Sequence, residues 1–357
     1  MEIIWNNTDY LEGTYNNFNY TDKIAMFDMD DTLTMTKSGK THFQNPDDWL
    51  LFNNNVKTYL HKLYNNGFCI ILISNQMGIN KGKVNIDDLK KKINNVFNEL
   101  NVPIKIFCSK GNDIYRKPHP TFYKIISKNI NNIITSFYCG DAGGRKGDHS
   151  DTDYKFALNC MINFYFPEQL FEKNKLFVSP TIKYPIFSQN IKEFVLDYNN
   201  KEMILMIGFP ASGKSYLSKD IKQKAMTLKN ICYVIINRDT LKTPEKCLKK
   251  TEETLQNNTS VIIDNTNVAS NDRKKYIDIA KKYNYKIKCI LVTTSIDLCK
   301  HNNYYRRFKT NLNIIPDIAY HSMKKKYQEP NLNEGYSEII KYESEKIIDP
   351  DYYLYYF

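Results

Sequence analysis

The stretch Gly208-Phe-Pro-Ala-Ser-Gly-Lys-Ser215 admits few folds. It follows the apolar run Met203–Ile207, which reads as a buried strand, and a helix-forming segment follows it. Gly208 and Gly213 let backbone N–H groups wrap phosphate oxygens, Lys214 reaches the β and γ phosphates, and Ser215 offers its hydroxyl to Mg²⁺. A strand, a tight loop and a helix in this order belong to an α/β sheet with mainly parallel strands.

Two further strands in this half end in polar residues. Tyr233–Ile236 runs into Asn237-Arg238-Asp239-Thr240. A carboxylate there, Asp239, can take the proton of an attacking hydroxyl, and Arg238 can pair with a substrate phosphate. Ser260–Ile263 runs into Asp264-Asn265-Thr266-Asn267. This resembles the second phosphate-and-metal segment of P-loop enzymes, or else Asp264 only orients its neighbours. Farther on, His301-Asn-Asn-Tyr-Tyr-Arg306-Arg307 reads either as a lid helix whose arginine, Arg306, faces the nucleotide or as a solvated basic face.

The first half carries a different chemistry. The apolar run Ile24–Phe27 ends in Asp28-Met-Asp30-Asp31-Thr32-Leu33-Thr34. Carboxylates this close repel one another unless a cation lies among them, and a hard ion with oxygen ligands fits. One carboxylate can attack phosphorus while another shuttles a proton; a solvated acidic turn is the plainer alternative. A helical pattern is expected from Asp47 to Tyr64, stopped by Gly67. The strand Phe68–Ile73 ends in Ser74-Asn75, where a hydroxyl and an amide can grip phosphoryl oxygens. A polar helix is expected at about Ile86–Leu100, and a strand at Ile104–Phe107. Lys117 stands before Pro118, and the strand Ser136–Cys139 ends in Gly140-Asp141-Ala-Gly-Gly-Arg145. Asp28/Asp30, Ser74/Asn75, Lys117 and Asp141 therefore all fall at or just after strand ends, the edge where open α/β sheets bind ligands.

The order Asp28-x-Asp30-x-Thr32, Ser74-Asn75, Lys117, Gly140-Asp141 resembles the haloacid-dehalogenase-like phosphohydrolases. The resemblance implies a Rossmann-like domain in which Asp28 forms an aspartyl-phosphate and Asp30 protonates the leaving alkoxide and then activates water. It also implies Mg²⁺ on Asp28, the Asp30 carbonyl and Asp141, with Ser74 and Lys117 on the phosphoryl oxygens. Most such phosphatases have glycine where this chain has Asp31. Together the halves resemble the bifunctional polynucleotide phosphatase/kinase family, on Asn75-Gln-Met-Gly-Ile79, Arg116-Lys-Pro118, Asp148-x-Ser150-x-x-Asp153, Gly208-Phe-Pro210, Asn237-Arg-Asp-Thr-Leu241, His301-Asn-Asn303, Glu329-Pro330 and Glu334-Gly-Tyr336. That family implies removal of 3′-phosphate and ATP-dependent phosphorylation of 5′-OH on DNA ends, with Asp239 as kinase base, Gly208, Gly213, Lys214, Ser215 and Arg306 on ATP·Mg²⁺, and Asn75, Arg145 and Arg238 toward substrate. An RNA end-healing enzyme, or an end-binding protein with one inactive site, are the alternatives.

The expected domains are a phosphatase over residues 1–172, a connector over 173–201 and a kinase over 202–357. A formal charge of +11 favours a polyanionic partner, although the Asn-, Lys-, Ile- and Tyr-rich composition is also what an AT-rich coding sequence yields. Eight scattered cysteines without a C-x-x-C pair, and six histidines without zinc spacing, fit an intracellular protein, nuclear or cytoplasmic and of viral or cellular origin. No apolar run here is long enough to span a bilayer, and neither a signal peptide nor a phosphopeptide-binding module is expected. A monomer is expected.

Overall fold

The computed structural model describes residues 2–172, 196–310, 312–343 and 349–356. The chain divides into two units, Met1–Tyr184 together with Tyr353–Phe357, and Pro185–Tyr352. Residues 173–195, most of the expected connector, lie outside the described residues.

The first unit runs β1 (Ile4–Asn7), β2 (Leu11–Tyr15), β3 (Lys23–Phe27), β4 (Thr34–Met35), β5 (Leu50–Leu51), α1 (Asn55–Asn65), β6 (Phe68–Asn75), α2 (Ile86–Leu100), β7 (Ile104–Ser109), α3 (Thr121–Ser127), β8 (Thr135–Cys139), α4 (Thr152–Cys160), β9 (Asn163–Tyr165) and α5 (Pro167–Phe171). Its large sheet has the order β1-β2-β7-β6-β3-β8-β9. The five strands from β7 to β9 are parallel, and the β1–β2 hairpin adds antiparallel to β7. Strand side chains alternate between two cores, as the pleat requires. Ala25 and Phe27 pack with Val56, Leu60, Ile93 and Phe97 on one face. Ile24 and Met26 pack with Phe122, Ile126 and Phe156 on the other. Both faces of β3 are thus covered by helices, so its carboxyl end opens between β6 and β8, where the strand order turns.

The helix expected from Asp47 begins only at Asn55. The Asp48 carboxylate accepts from Ser38 N, Ser38 Oγ and Gln44 N at 2.8, 2.8 and 2.9 Å, which closes the basic turn Lys37–Lys40 over it. Leu50–Leu51 then pairs with Thr34–Met35 as a short ribbon, so this stretch is committed before a helix can start.

The second unit runs β10 (Glu202–Ile207), α6 (Lys214–Lys229), β11 (Tyr233–Ile236), α7 (Arg238–Leu241), α8 (Pro244–Gln256), β12 (Ser260–Ile263), α9 (Ser270–Lys282), β13 (Lys286–Val292), α10 (Ile296–Thr310), α11 (Asp317–Lys326), a 3₁₀ turn (Leu332–Glu334), β14 (Glu338–Tyr342) and a 3₁₀ turn (Pro350–Tyr353). Its sheet, β11-β12-β10-β13-β14, is parallel throughout. Again the strand that feeds the loop is central and buried on both faces. Met203, Leu205 and Ile207 pack with Leu255, Ile277 and Ala280, while Ile204 and Met206 pack with Leu217, Ile221 and Ala225. Leu196 joins the second of these clusters, so residues just before β10 that the sequence reading placed in the connector belong to this core. Tyr353–Phe357, expected in the kinase domain, group with the first unit, where the Asn159 amide pairs with both backbone groups of Tyr355 at 2.8 Å.

At the start of the second sheet Glu202 and Lys288, 0 % and 1 % exposed, pair at 3.0 Å, and Tyr233 donates to Glu202 at 2.9 Å. An ion pair this deep costs solvation, but removing one partner strands the other. Glu202→Leu is therefore expected to destabilise the second unit by about 3–5 kcal/mol in urea unfolding followed by far-UV circular dichroism, and adding Lys288→Met to recover most of that loss.

Candidate active sites

In the first unit the site is built around a buried ammonium. Lys117 Nζ, 2 % exposed, donates to Asp28 Oδ1 at 2.7 Å, to Asp153 Oδ1 at 2.8 Å and to the Tyr138 hydroxyl at 2.6 Å. A lysine has three N–H donors, and all three are used. Burial alone would lower its pKa, but Asp153 and Asp28 outweigh that and raise it. The backbone of Lys117 is fixed as firmly: Asn75 Oδ1 accepts from Lys117 N at 2.9 Å, and Asn75 Nδ2 donates to Lys117 O at 3.2 Å. The sequence placed Asn75 toward substrate; here its amide positions Lys117.

Asp28, Asp141 and Asp153 each bring an oxygen within 4.8 Å of the others. Asp28 N donates to Cys139 O at 2.9 Å, which stitches the end of β3 to that of β8, and Thr32 Oγ1 donates to Asp141 at 3.3 Å. Gly140 is glycine because Asp153 lies against it: a Cβ there would stand 2.2 Å from Asp153 Oδ2. Burial first, then the neighbouring carboxylates, push Asp28 well above the usual range against the pull of Lys117. Burial and Asp153 push Asp141 up to about 7, with His149 and Lys117 opposing. Three carboxylates against one ammonium leave an excess of negative charge on hard oxygen donors, and this fits a divalent cation.

The Asp30 carboxylate stands apart from that cluster. It accepts from Gln76 Nε2 at 2.8 Å and Lys92 Nζ at 2.7 Å, and Gln76 also donates to Ser74 Oγ at 2.9 Å. Expected metal contact through the Asp30 carbonyl concerns a different atom from this carboxylate. Asp31 has φ 55°, the left-handed region where glycine is at ease and aspartate is among the better-tolerated side chains. The carboxylate at this position thus keeps the loop geometry that a glycine would give. Arg145 sits at the same edge, but its guanidinium pairs with Asp148 and Glu168 and lies 3.7 Å over the Phe166 ring, so it braces its own loop.

Asp153, Gln76, Tyr138 and Lys92 were given no role from sequence. Asp153 and Gln76 lay inside the matched motifs. Lys92 had a signal of its own, a lysine in the stripe Leu89, Ile93, Val96, Phe97, Leu100 of α2.

In the second unit the loop after β10 has every carbonyl from Gly208 to Ser212 tied by a side chain. Lys214 Nζ donates to Gly208 O at 3.0 Å and Phe209 O at 2.7 Å. Tyr320 donates to Pro210 O at 3.3 Å, Asn302 to Ala211 O at 2.9 Å, and Thr294 to Ser212 O at 2.9 Å. Gly208 N and Ser212 N are used as well, on Thr266 O and Phe209 O at 3.0 and 3.3 Å, and Pro210 has no N–H, so what the loop can offer an anion is its other amides, Gly213 N at the start of α6 among them. Gly213 has φ 101° at the start of α6, and a Cβ on Gly208 would meet Ser212 Oγ at 2.9 Å. Burial lowers the Lys214 pKa to about 8, with Asp264 and Asp239 opposing and Arg306 reinforcing. Arg306 is thus brought near Lys214, and its Nη2 rests on Asn303 Oδ1 at 3.2 Å.

Burial raises the Asp264 pKa while the neighbouring hydroxyl of the exposed Ser215 opposes the rise, and Asp264 Oδ1 is buried with no hydrogen-bond partner. An orphaned carboxylate oxygen beside a hydroxyl fits a divalent ion at Ser215. Asp239 is exposed on α7, whose first turn Asn237 caps through Thr240 N at 2.8 Å. Arg238 is also exposed; its amide donates to Asn265 Oδ1 at 2.9 Å. Among the sequence-selected residues, Lys214, Ser215, Asp239 and Arg306 converge, and Asp264 joins them.

Residues 23–171 match the family model described as polynucleotide kinase 3 phosphatase, and residues 203–330 match one described as an AAA domain. The bifunctional polynucleotide phosphatase/kinase of Schizosaccharomyces pombe is 35 % identical over 350 residues, covering 95 % of this chain and 84 % of that protein. The putative bifunctional polynucleotide phosphatase/kinase of Acanthamoeba polyphaga mimivirus is 32 % identical over 386 residues, covering 94 % and 89 %. The polynucleotide 3′-phosphatase ZDP of Arabidopsis thaliana is 32 % identical over 172 residues, 43 % of this chain and 24 % of that one. With a buried carboxylate–lysine site in one unit, a phosphate loop in the other and relatives matched along nearly its whole length, the chain belongs to the bifunctional polynucleotide phosphatase/kinase family.

Proposed function

We propose that this chain heals DNA strand ends: the first unit removes a 3′-phosphate and the second phosphorylates a 5′-OH with ATP. The observation that carries the reading is the presence, in one chain, of the Asp28–Lys117–Asp153 nest and the Gly208–Ser215 loop. A formal charge of +11 supports contact with a nucleic-acid backbone. Each unit supplies its own reacting groups, as a monomer requires. None of the eight cysteines is in a disulfide and seven are buried, which supports an intracellular setting, nuclear or cytoplasmic. Among the described residues no helix is long and apolar enough to cross a membrane.

In the first unit the Asp28 carboxylate attacks phosphorus and the bond to the 3′ oxygen breaks. Asp30, held by Lys92 and Gln76, gives its proton to that oxygen. Asp30 then takes a proton from water, whose oxygen attacks phosphorus, and phosphate leaves Asp28. Ser74 and Lys117 hold the phosphoryl oxygens, Lys117 by exchanging one of its three internal bonds for the substrate. In the second unit Asp239 takes the proton of the 5′-OH as its oxygen attacks the γ-phosphorus, ADP departs, and Lys214 and Arg306 balance the charge. Asp28, the Asp30 carbonyl and Asp141 would hold one Mg²⁺, and Ser215 beside Asp264 a second, and the ions would supply neutralisation of phosphate charge.

A nicked duplex carrying 3′-phosphate and 5′-OH, given Mg²⁺ and γ-labelled ATP, tests this reading. Both ends are expected to be healed by the wild type. Asp28→Asn is expected to lose the 3′ activity by about a thousandfold or more while keeping the 5′ activity, and Lys214→Ala to do the reverse by at least about a hundredfold. Healing of a matching RNA nick with no action on DNA would replace the DNA reading by the RNA one.

Lys92→Met keeps the length of the buried stem and removes the charge beside Asp30. Its 3′-phosphatase kcat is expected to fall by about 10- to 100-fold with little change in KM, and its kinase rate to stay at the wild-type value.

Stability should also follow the carboxylates. Asp141 has a folded pKa of about 7, above its ordinary value, so the protonated form favours the fold. That contribution is present below about pH 4 and is lost as pH rises through about 7, and the Asp28 shift acts in the same direction. Both tryptophans, Trp5 and Trp49, lie in the first unit. The metal-free chain is expected to show a falling tryptophan-detected midpoint from pH 4 to 7.5, and Mg²⁺ to restore it at the upper end.

A further inference from the structure

The Pro350–Tyr353 turn closes on the kinase unit at a point that the reaction scheme leaves unused. Tyr352, 4 % exposed, sits edge-on between the rings of His301 and Tyr305, with centroids at 5.1 Å from each. His301 Nε2 donates to the Tyr352 carbonyl. The Tyr352 hydroxyl donates to Asn302 Oδ1 at 2.5 Å, and the other end of that amide, Nδ2, donates to Ala211 O at 2.9 Å. A carbonyl accepts only, so the Ala211 carbonyl takes the Nδ2 end of the Asn302 amide, and the tyrosine hydroxyl holds the Oδ1 end that is left.

Ala211 is where such a restraint acts. It has φ 57°, a left-handed conformation that a non-glycine residue holds only when its surroundings impose it. It also lies two residues before Gly213, inside the loop that the kinase reading places around the phosphates. The same helix segment ties Asn303 to both backbone groups of Ile315, at 3.0 and 3.2 Å, and to Arg306. Asp349 adds a second anchor to α10, accepting from Tyr305 at 2.7 Å and pairing with Lys309 at 2.9 Å.

We propose that Tyr352 and Asn302 are positioning residues for nucleotide binding: the C-terminal turn fixes the Asn302 amide, and Asn302 fixes the phosphate loop at Ala211. Neither side chain touches the reacting atoms. Their effect is on how well the loop is preformed for ATP, and so on nucleotide affinity more than on phosphoryl transfer. This deepens the kinase reading and rests on it.

The test measures direct binding of ATP·Mg²⁺ to the full chain by calorimetry, beside kinase kinetics, for wild type, Tyr352→Phe, Asn302→Leu and the double variant. Tyr352→Phe keeps the ring and its packing, so it decides the matter even if Asn302→Leu folds poorly. Each single variant is expected to weaken ATP binding by about tenfold, the scale of one hydrogen bond, with a matching rise in KM and a kcat within about twofold. The double variant is expected to be no weaker than the worse single one by more than about twofold, because both act through one relay. The 3′-phosphatase rate is expected to stay unchanged in Tyr352→Phe. Unaltered ATP affinity in Tyr352→Phe, or losses that multiply to about a hundredfold in the double variant, would overturn the relay. Failure of the wild type to bind ATP at all would instead overturn the kinase reading beneath it.

Discussion

The first unit depends on one buried positive charge. Lys117 spends all three donors inside the protein, on Asp28, Asp153 and Tyr138, and no water is needed to satisfy it. An uncompensated ammonium there would cost several kcal/mol, so the carboxylates are as necessary to the lysine as it is to them. The surrounding chain serves this arrangement. Asn75 holds the Lys117 backbone, Gly140 makes room for Asp153, and Tyr138 donates onward to Ile73 O at 3.1 Å. The excess of carboxylates then sets up the demand for a divalent cation beside Asp28 and Asp141.

Both units solve the same problem in the same way. Each places a strand that is buried on both faces at the point where the strand order turns, and each hangs its chemistry on the loop that follows. They differ in what the loop brings. After β3 it brings side-chain carboxylates, which can react covalently with phosphorus. After β10 it brings backbone amides on a loop whose five successive carbonyls are each held by a side chain. The first arrangement suits breaking a phosphate ester, and the second suits holding a nucleotide still while its terminal phosphate moves.

Local physics made much of this legible before any coordinates. The strands Tyr233–Ile236 and Ser260–Ile263 are apolar runs bounded by polar turns, and they fall where the sequence put them. The helix Ile86–Leu100 has an asparagine cap accepting from Asp87 and Asp88 N, a start signal, and a left-handed Asn101 at its end, a stop signal. What stayed hidden was long-range pairing. Nothing near Lys92 says that it meets Asp30, 62 positions away, and nothing near Asn302 says that it meets Ala211, 91 positions away. The helix expected from Asp47 failed for the same reason, since Ser38 captures Asp48 from ten residues upstream. Nothing in the sequence around Arg145, expected toward substrate, says that Glu168 and Phe166 join Asp148 around its guanidinium.

The central claim is that Asp28 reacts covalently with phosphorus rather than only holding a cation. The stereochemical course at phosphorus tests it most directly, using a DNA 3′-phosphate made chiral with oxygen isotopes and thiophosphate. Two successive in-line displacements, first by Asp28 and then by water, predict net retention of configuration. Net inversion would mean a single direct attack by water, and would contradict the account.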